Sequence, residues 1–160
     1  MEIRRVRPDE WQALRDLRLR ALRADPEAFG ESLAVATERS DADWQTRADS
    51  ADHASFVADA GHGLIGMVVG GPAPDRPGIA AVYGMWVAPE ARGQGIGAAL
   101  LDAVEDWAHS AGYTFIGLGV TTSNEPAIRL YEQKGYTDIG ERYPLRDGTD
   151  LTIQIMGKPL

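Results

Sequence analysis

One stretch, VAPEARGQGIGAALLDAVEDWA at Val87–Ala108, constrains the fold more than any other. An apolar run ends, Gly93, Gly95 and Gly97 follow at alternate positions, and a helical pattern begins. Ile96, Ala99, Leu100, Ala103, Val104, Trp107 and Ala108 repeat at threes and fours, the spacing of one helix face. A helix starts more readily on Ser or Asp, whose side chains cap its free N–H groups. Glycine in that place leaves those groups bare, so that an anion can meet them without interference from Cβ. The chain therefore turns from strand to helix here, either as a site for backbone contact with an anion or as a glycine-rich turn without a ligand.

The flanking sequence supplies a layered frame. EIRRVR (2–7) reads as a short strand ended by Pro8, and Asp9 with Gln12 resembles a capping box before an amphipathic helix over 10–23. The segment 24–40 reads as a loop with possible helical turns, and Ser40 and Asp43 are placed to start a short helix. Strands are predicted near 54–60, 63–70, 79–87 and 113–120, with a final pair near 136–142 and 150–157. NEPAIRLYEQKG reads as a helix with Pro126 in its first turn and Gly135 as its left-handed cap. That order predicts an α/β (α+β layered) fold in one domain, 1–160.

Composition removes several chemistries. There is no cysteine, so disulfides, thiolate catalysis and Cys-based metal sites are excluded. The three histidines, His53, His62 and His109, lack partners at metal-ligand spacing, and no metal is expected. His53 and His62 read as surface polar residues, and His109 as a cation at a helix C-terminus. A net charge of −8 argues against a nucleic-acid partner. The basic run RDLRLRALR, Arg15–Arg23, reads as a solvated helix face. No apolar run approaches the ~20 residues of a membrane span, and the first residues lack a signal peptide's apolar core, so a cytoplasmic location without membrane contact is expected.

RGQGIGAAL admits three ligand-level readings. A Walker-type phosphate loop fails because no Gly-Lys-Ser/Thr closes it. GQGIGA satisfies the dinucleotide fingerprint, but the next strand ends GLGVTTSN, without the acid wanted for the ribose about 20 residues on. The third reading is a pyrophosphate site for coenzyme A. VAPEARGQGIGAALL resembles the signature of the GNAT-type N-acetyltransferase superfamily, with Arg92, Gly95 and Gly97 in its defining positions. NEPAIRLYEQKGY resembles that family's second motif through Asn124, Ala127, Leu130, Tyr131, Gly135 and Tyr136.

The resemblance implies a mixed, mostly antiparallel central sheet of six to seven strands flanked by about four helices. It implies acetyl-CoA as co-substrate, held by backbone N–H groups of Gly93, Gln94, Gly95, Ile96, Gly97 and Ala98, with Arg92 adding charge. Met85, Trp86 and Val87 would pair with the pantetheine arm, Met85 N–H would meet the thioester carbonyl, and Asn124 and Ala127 would lie opposite. The alternative is that Asn124 is only a helix cap. Tyr131 would protonate the leaving thiolate, unless its ring is only core.

The amine would attack directly, in a ternary complex, without an acyl-enzyme. AAVYGMWV carries no carboxylate or histidine for the amine's proton, so Tyr83, through a water, and Glu31 are the candidate replacements. Alternation along this strand puts Ala81, Tyr83, Met85 and Val87 on one face, and Val82, Gly84 and Trp86 on the other. The acceptor side would fall on the segment containing Phe29, Glu31 and five further acids, which suits a cationic amine. The acceptor is expected to be a small molecule. A protein N-terminus or lysine is the alternative, as is a non-catalytic acyl-CoA sensor. The family's late strands often form homodimers. Gly93 is expected to be more replaceable than Gly95.

Overall fold

The computed structural model describes residues 1–160 throughout. Its elements are β1 (Glu2–Arg5), α1 (Trp11–Ala24), α2 (Leu33–Thr37), α3 (Asp41–Ala48), β2 (Ala54–Asp59), β3 (Leu64–Pro72), β4 (Ile79–Val87), α4 (Ile96–Ser110), β5 (Phe115–Thr121), α5 (Glu125–Gln133), β6 (Thr137–Pro144) and β7 (Thr152–Pro159). The seven strands form one sheet in the order β1-β2-β3-β4-β5-β7-β6. Every neighbouring pair is antiparallel except β4 and β5, which run parallel. The layered α/β expectation holds, with five helices rather than about four. The extra one, α2, is short and is started by the Ser32 hydroxyl, which accepts from Val35 N–H.

The helices form where the apolar spacing demands burial. Leu14, Leu17, Ala21 and Leu22 of α1 are buried, as are Ile96, Leu100, Leu101, Val104 and Ala108 of α4. At the start of α1, the expected box at Asp9 and Gln12 is replaced by a one-sided cap, Glu10 reaching back to the backbone of Arg7. Glu10 Oε2 accepts from Arg7 N–H at 2.8 Å while its carboxylate also pairs with Arg4 at 2.7 Å, so a nearby guanidinium decides which acid caps. No helix is long and apolar enough to cross a membrane.

One irregularity positions the site. Tyr83 pairs with Val69, and Trp86 with Met67, so β4 uses three steps where β3 uses two. This β-bulge contains Gly84 in a left-handed conformation (φ +56°). Beyond it the expected alternation flips. Val87 joins Val82 on the α4 face, where its Cγ2 approaches Gly97, whereas the Trp86 indole lies on the opposite face beside Asp25. Strict alternation assumes a strand without an inserted residue, and β4 has one.

Candidate active site

The bulge opens a seam. Pairing between β4 and β5 runs only from Ile79↔Phe115 to Val82↔Leu118. Beyond those residues β4 stays bonded to β3 as far as Val87, and β5 to β7 as far as Thr121. Tyr83–Val87 and Gly119–Thr121 therefore diverge with their facing edges unpaired. Buried backbone edges need partners, so the seam suits an extended ligand that lies between the strands as an added strand does. Met85 and Val87 stand on this open stretch, and Trp86 contributes only its backbone, its indole being buried.

The glycine segment closes one end of the seam. Gly93 (φ +78°) and Gly95 (φ +79°) both take left-handed backbone, and a Cβ at either would meet nothing within 4 Å. Both positions therefore favour glycine for conformation and both leave open space, so the backbone gives no reason to rank Gly93 as the more replaceable. Gly97 differs. It has ordinary helical backbone, and a Cβ there would lie 3.0 Å from Leu130 Cδ2 and 3.1 Å from Met85 Cε, so it sets how closely α4 approaches β4 and α5. Gly95 is the N-cap of α4 and offers no side-chain cap, which leaves the first N–H groups of Ile96, Gly97 and Ala98 without intrahelical partners. Gln94 is exposed beside them, and the Ile96 side chain is buried in the core.

Arg92 is more committed than its position in the motif implies. Its Nε donates to the Val87 carbonyl at 3.0 Å and its Nη2 to Asp25 Oδ2 at 2.7 Å. The same Asp25 oxygen accepts from Trp86 Nε1 at 2.7 Å. Across the seam, Asn124 caps α5, its Oδ1 accepting from Ala127 N–H at 3.3 Å, which leaves the amide NH₂ as a donor. Tyr131 is buried, edge-on to Tyr136 with ring centroids 6.0 Å apart. Burial pushes its phenol up to about 12, so it remains a proton donor at neutral pH.

On the opposite face of the sheet two cavities meet at Tyr83 and Gly84. The larger, about 740 Å³, includes Phe29, Glu31 and Tyr83 in its wall, and the smaller, about 450 Å³, includes Tyr83 and His53. Tyr83 donates to the Pro72 carbonyl at 2.9 Å, and burial raises its phenol above the ordinary value, so it is a poor base. Glu31 is ringed by Arg18 at 3.6 Å, Arg47 at 3.7 Å and a close contact from Arg39. Of the six acids expected near the acceptor, only Glu31 lines either cavity. Asp25 serves Trp86 and Arg92, and Glu38, Asp41 and Asp43 are exposed.

Comparison with known proteins decides the family. Residues 11–136 match the model of the acetyltransferase (GNAT) family. The chain belongs to the GNAT family. Among its relatives is the streptothricin acetyltransferase of Streptomyces lavendulae, 33% identical over 121 residues that cover 69% of this chain and 58% of that protein. The chain spans about half the length of the curated relatives it matches. Its fold is that of the ribosomal-protein-alanine N-acetyltransferase of Brucella melitensis (TM-score 0.80, 22% identity, 100% of both chains). It also matches yncA of Salmonella typhimurium, solved with its cofactor acetyl-CoA (TM-score 0.78, 20% identity, 100% of this chain and 94% of that one).

Seen as a GNAT domain, the site brings together most of what the motifs imply, with the seam, the glycine cradle, Asn124 and Tyr131 gathered around β4 and the two flanking helices. The bare α4 terminus and two left-handed glycines fit a pyrophosphate, while the expected free charge of Arg92 is largely spent on Asp25. Sequence reading missed Arg18. It belongs to the run taken as a solvated face, yet its side chain is only 16% exposed. The missed signal was spacing, because Arg18 follows Leu14 by four residues and precedes Ala21 and Leu22 by three and four, on the buried stripe of α1.

Proposed function

We propose that this chain transfers an acetyl group from acetyl-CoA to the amine of a small molecule, by direct attack in a ternary complex. The observation that carries the reading is the seam between β4 and β5, closed at one end by the uncapped start of α4. When bound, acetyl-CoA supplies a thioester carbonyl as the electrophile. Backbone N–H groups from Gly93 to Ala98 grip the pyrophosphate, helped by the positive end of the α4 dipole. Tyr83–Val87 and Asn124 hold the pantetheine arm in the seam, and Met85 N–H stabilises the developing oxyanion. The new N–C bond forms as the C–S bond breaks. The amine gives its proton to solvent, and Tyr131 gives one to the departing sulfur, so the products are an N-acetyl amide and free coenzyme A.

A small acceptor is favoured over a protein because both cavities fall within the range of small-molecule sites, roughly 300–1,000 Å³. Thiol release from acetyl-CoA across a panel of small amines and peptides tests this. Turnover with small amines is the expected result. Turnover with peptides alone would establish a protein acetyltransferase, and acetyl-CoA binding without turnover for any amine would establish a sensor.

A further inference from the structure

Around the smaller cavity the acceptor face is cationic, although Glu31, Asp75 and Glu141 line the larger one beside Arg18 and Arg76. Arg18, Arg39 and Arg47 converge on the single carboxylate of Glu31, so two of their three positive charges are uncompensated within the cluster. Asp43 offsets Arg47 in part, from an exposed position. The Arg18 Nε is buried and donates no hydrogen bond, its nearest anion, Glu31 Oε1, lying at 3.6 Å. The Arg18 guanidinium stacks 4.6 Å from the centre of the Phe29 ring, and its Nη1 is 2.7 Å from where a Cβ of Gly84 would lie. It therefore stands at the point where the seam opens.

The smaller cavity begins at the same place. Arg18, Arg47, Tyr83 and Gly84 line it beside the apolar Leu14 and Trp44, and no Asp or Glu reaches it. Burial and the neighbouring arginines both act against the charged form of Arg18 and of Arg47. An anion brought into this cavity would relieve that penalty. A simple ammonium would bring a further positive charge to a region already in excess.

We propose that this cavity anchors the acceptor, and that the acceptor is an amine carrying its own carboxylate close by, an α- or β-amino acid. Its carboxylate lies on Arg18 and Arg47, where a planar guanidinium matches two oxygens at once. The spacing is short because Arg18 touches Gly84, so the amine of such a molecule falls at the seam. Leu14 and Trp44 take an apolar side chain. The same guanidiniums disfavour the protonated amine, and attack requires the neutral one. The N–C bond forms at the expense of the thioester C–S bond, the amine's proton leaves to solvent, and the product is an N-acetylamino acid.

This inference rests on the acetyltransferase reading and is tested separately from it. Initial rates of thiol release are measured with acetyl-CoA and apolar L-amino acids, each beside its own amide. The amide loses its amine proton more easily, so a site without cationic recognition would use the amide better. The expected result is a kcat/KM at least tenfold higher for the acids, with that ratio collapsing toward one in Arg18→Lys and in Arg47→Gln. Because both substrates meet the same folded fraction, partial misfolding of a variant cannot change the ratio. Equal or better use of amides or peptides would overturn the inference and leave acetyl transfer standing. Acetyl-CoA binding with no thiol release from any amine would overturn both.

Discussion

A phenol on α5 and two glycines before α4 carry most of the proposed chemistry at the scale of single residues. Tyr131 is 7% exposed, and its phenol, pushed up to about 12, stays protonated through the working pH range. Tyr131→Phe keeps the packing and removes the donor. It is expected to lower kcat more than tenfold, about 1.4 kcal/mol of transition-state stabilisation or more, with acetyl-CoA affinity unchanged in a calorimetric titration. An unaltered kcat would remove Tyr131 from the reaction. Gly93→Ala and Gly95→Ala each force a Cβ into left-handed backbone, which costs about 1–2 kcal/mol. Both are expected to weaken acetyl-CoA binding to a similar degree. A loss confined to Gly95→Ala would restore the motif-based ranking, for which the backbone gives no ground. Resemblance to the two GNAT motifs was enough to single out Tyr131, Gly95 and Gly97. It could not rank Gly93, because a motif records residue identity and the demand on Gly93 lies in a φ angle.

Between elements, two charged groups tie the ends of α1 into the sheet, and neither was legible in the sequence, Asp25 because its partners are distant along the chain and Glu10 because its partner Arg4 sits on a strand outside the helical pattern. Asp25, just after α1, accepts from the Trp86 indole and pairs with Arg92, joining α1, β4 and the glycine segment. Trp86 is 3% exposed, so Asp25→Ala strands a buried N–H and is expected to lower stability by about 1–3 kcal/mol. Asp25→Asn keeps an acceptor and loses only an ion pair to the half-exposed Arg92, about 0–1 kcal/mol. Denaturant titration separates the two, and equal losses would mean that the indole bond contributes nothing. At the other end of α1, hydrogen bonds from Arg4 hold the Glu10 carboxyl at about 2, against an ordinary 4.5. A lowered carboxyl stabilises the fold in full above its unfolded value and loses that contribution as pH falls through the folded one. The stability gap between the wild type and Glu10→Gln should therefore be constant above pH 4.5 and close as the pH approaches 2. A gap that persists at pH 2 would show that the charge of Glu10 is not its source.

The whole molecule is built on a sheet held firmly on both sides of a line along which, beyond Val82 and Leu118, it is not held at all. Periodicity revealed the strands and helices, because burial of apolar faces is written locally, and β4 came out residue for residue. The seam was invisible by the same logic. It depends on one inserted residue at Gly84 and on where the β4–β5 pairing stops, and both are set by register between strands. The arginines around the smaller cavity were missed for a related reason, since counting acids in a loop says nothing about which side chains turn inward. If the seam is the cofactor cleft, acetyl-CoA should act as the missing strand there and as an anion at the start of α4. Hydrogen–deuterium exchange tests this on the intact chain. Saturating acetyl-CoA should slow exchange in peptides covering Tyr83–Val87 and Gln94–Ala98, while β2, bonded on both edges by β1 and β3, should change little. Protection spread evenly over all strands would indicate general stabilisation by mass action and would leave the seam without an assigned ligand. Protection confined to Gln94–Ala98 would place the anion correctly while removing the added-strand role from β4.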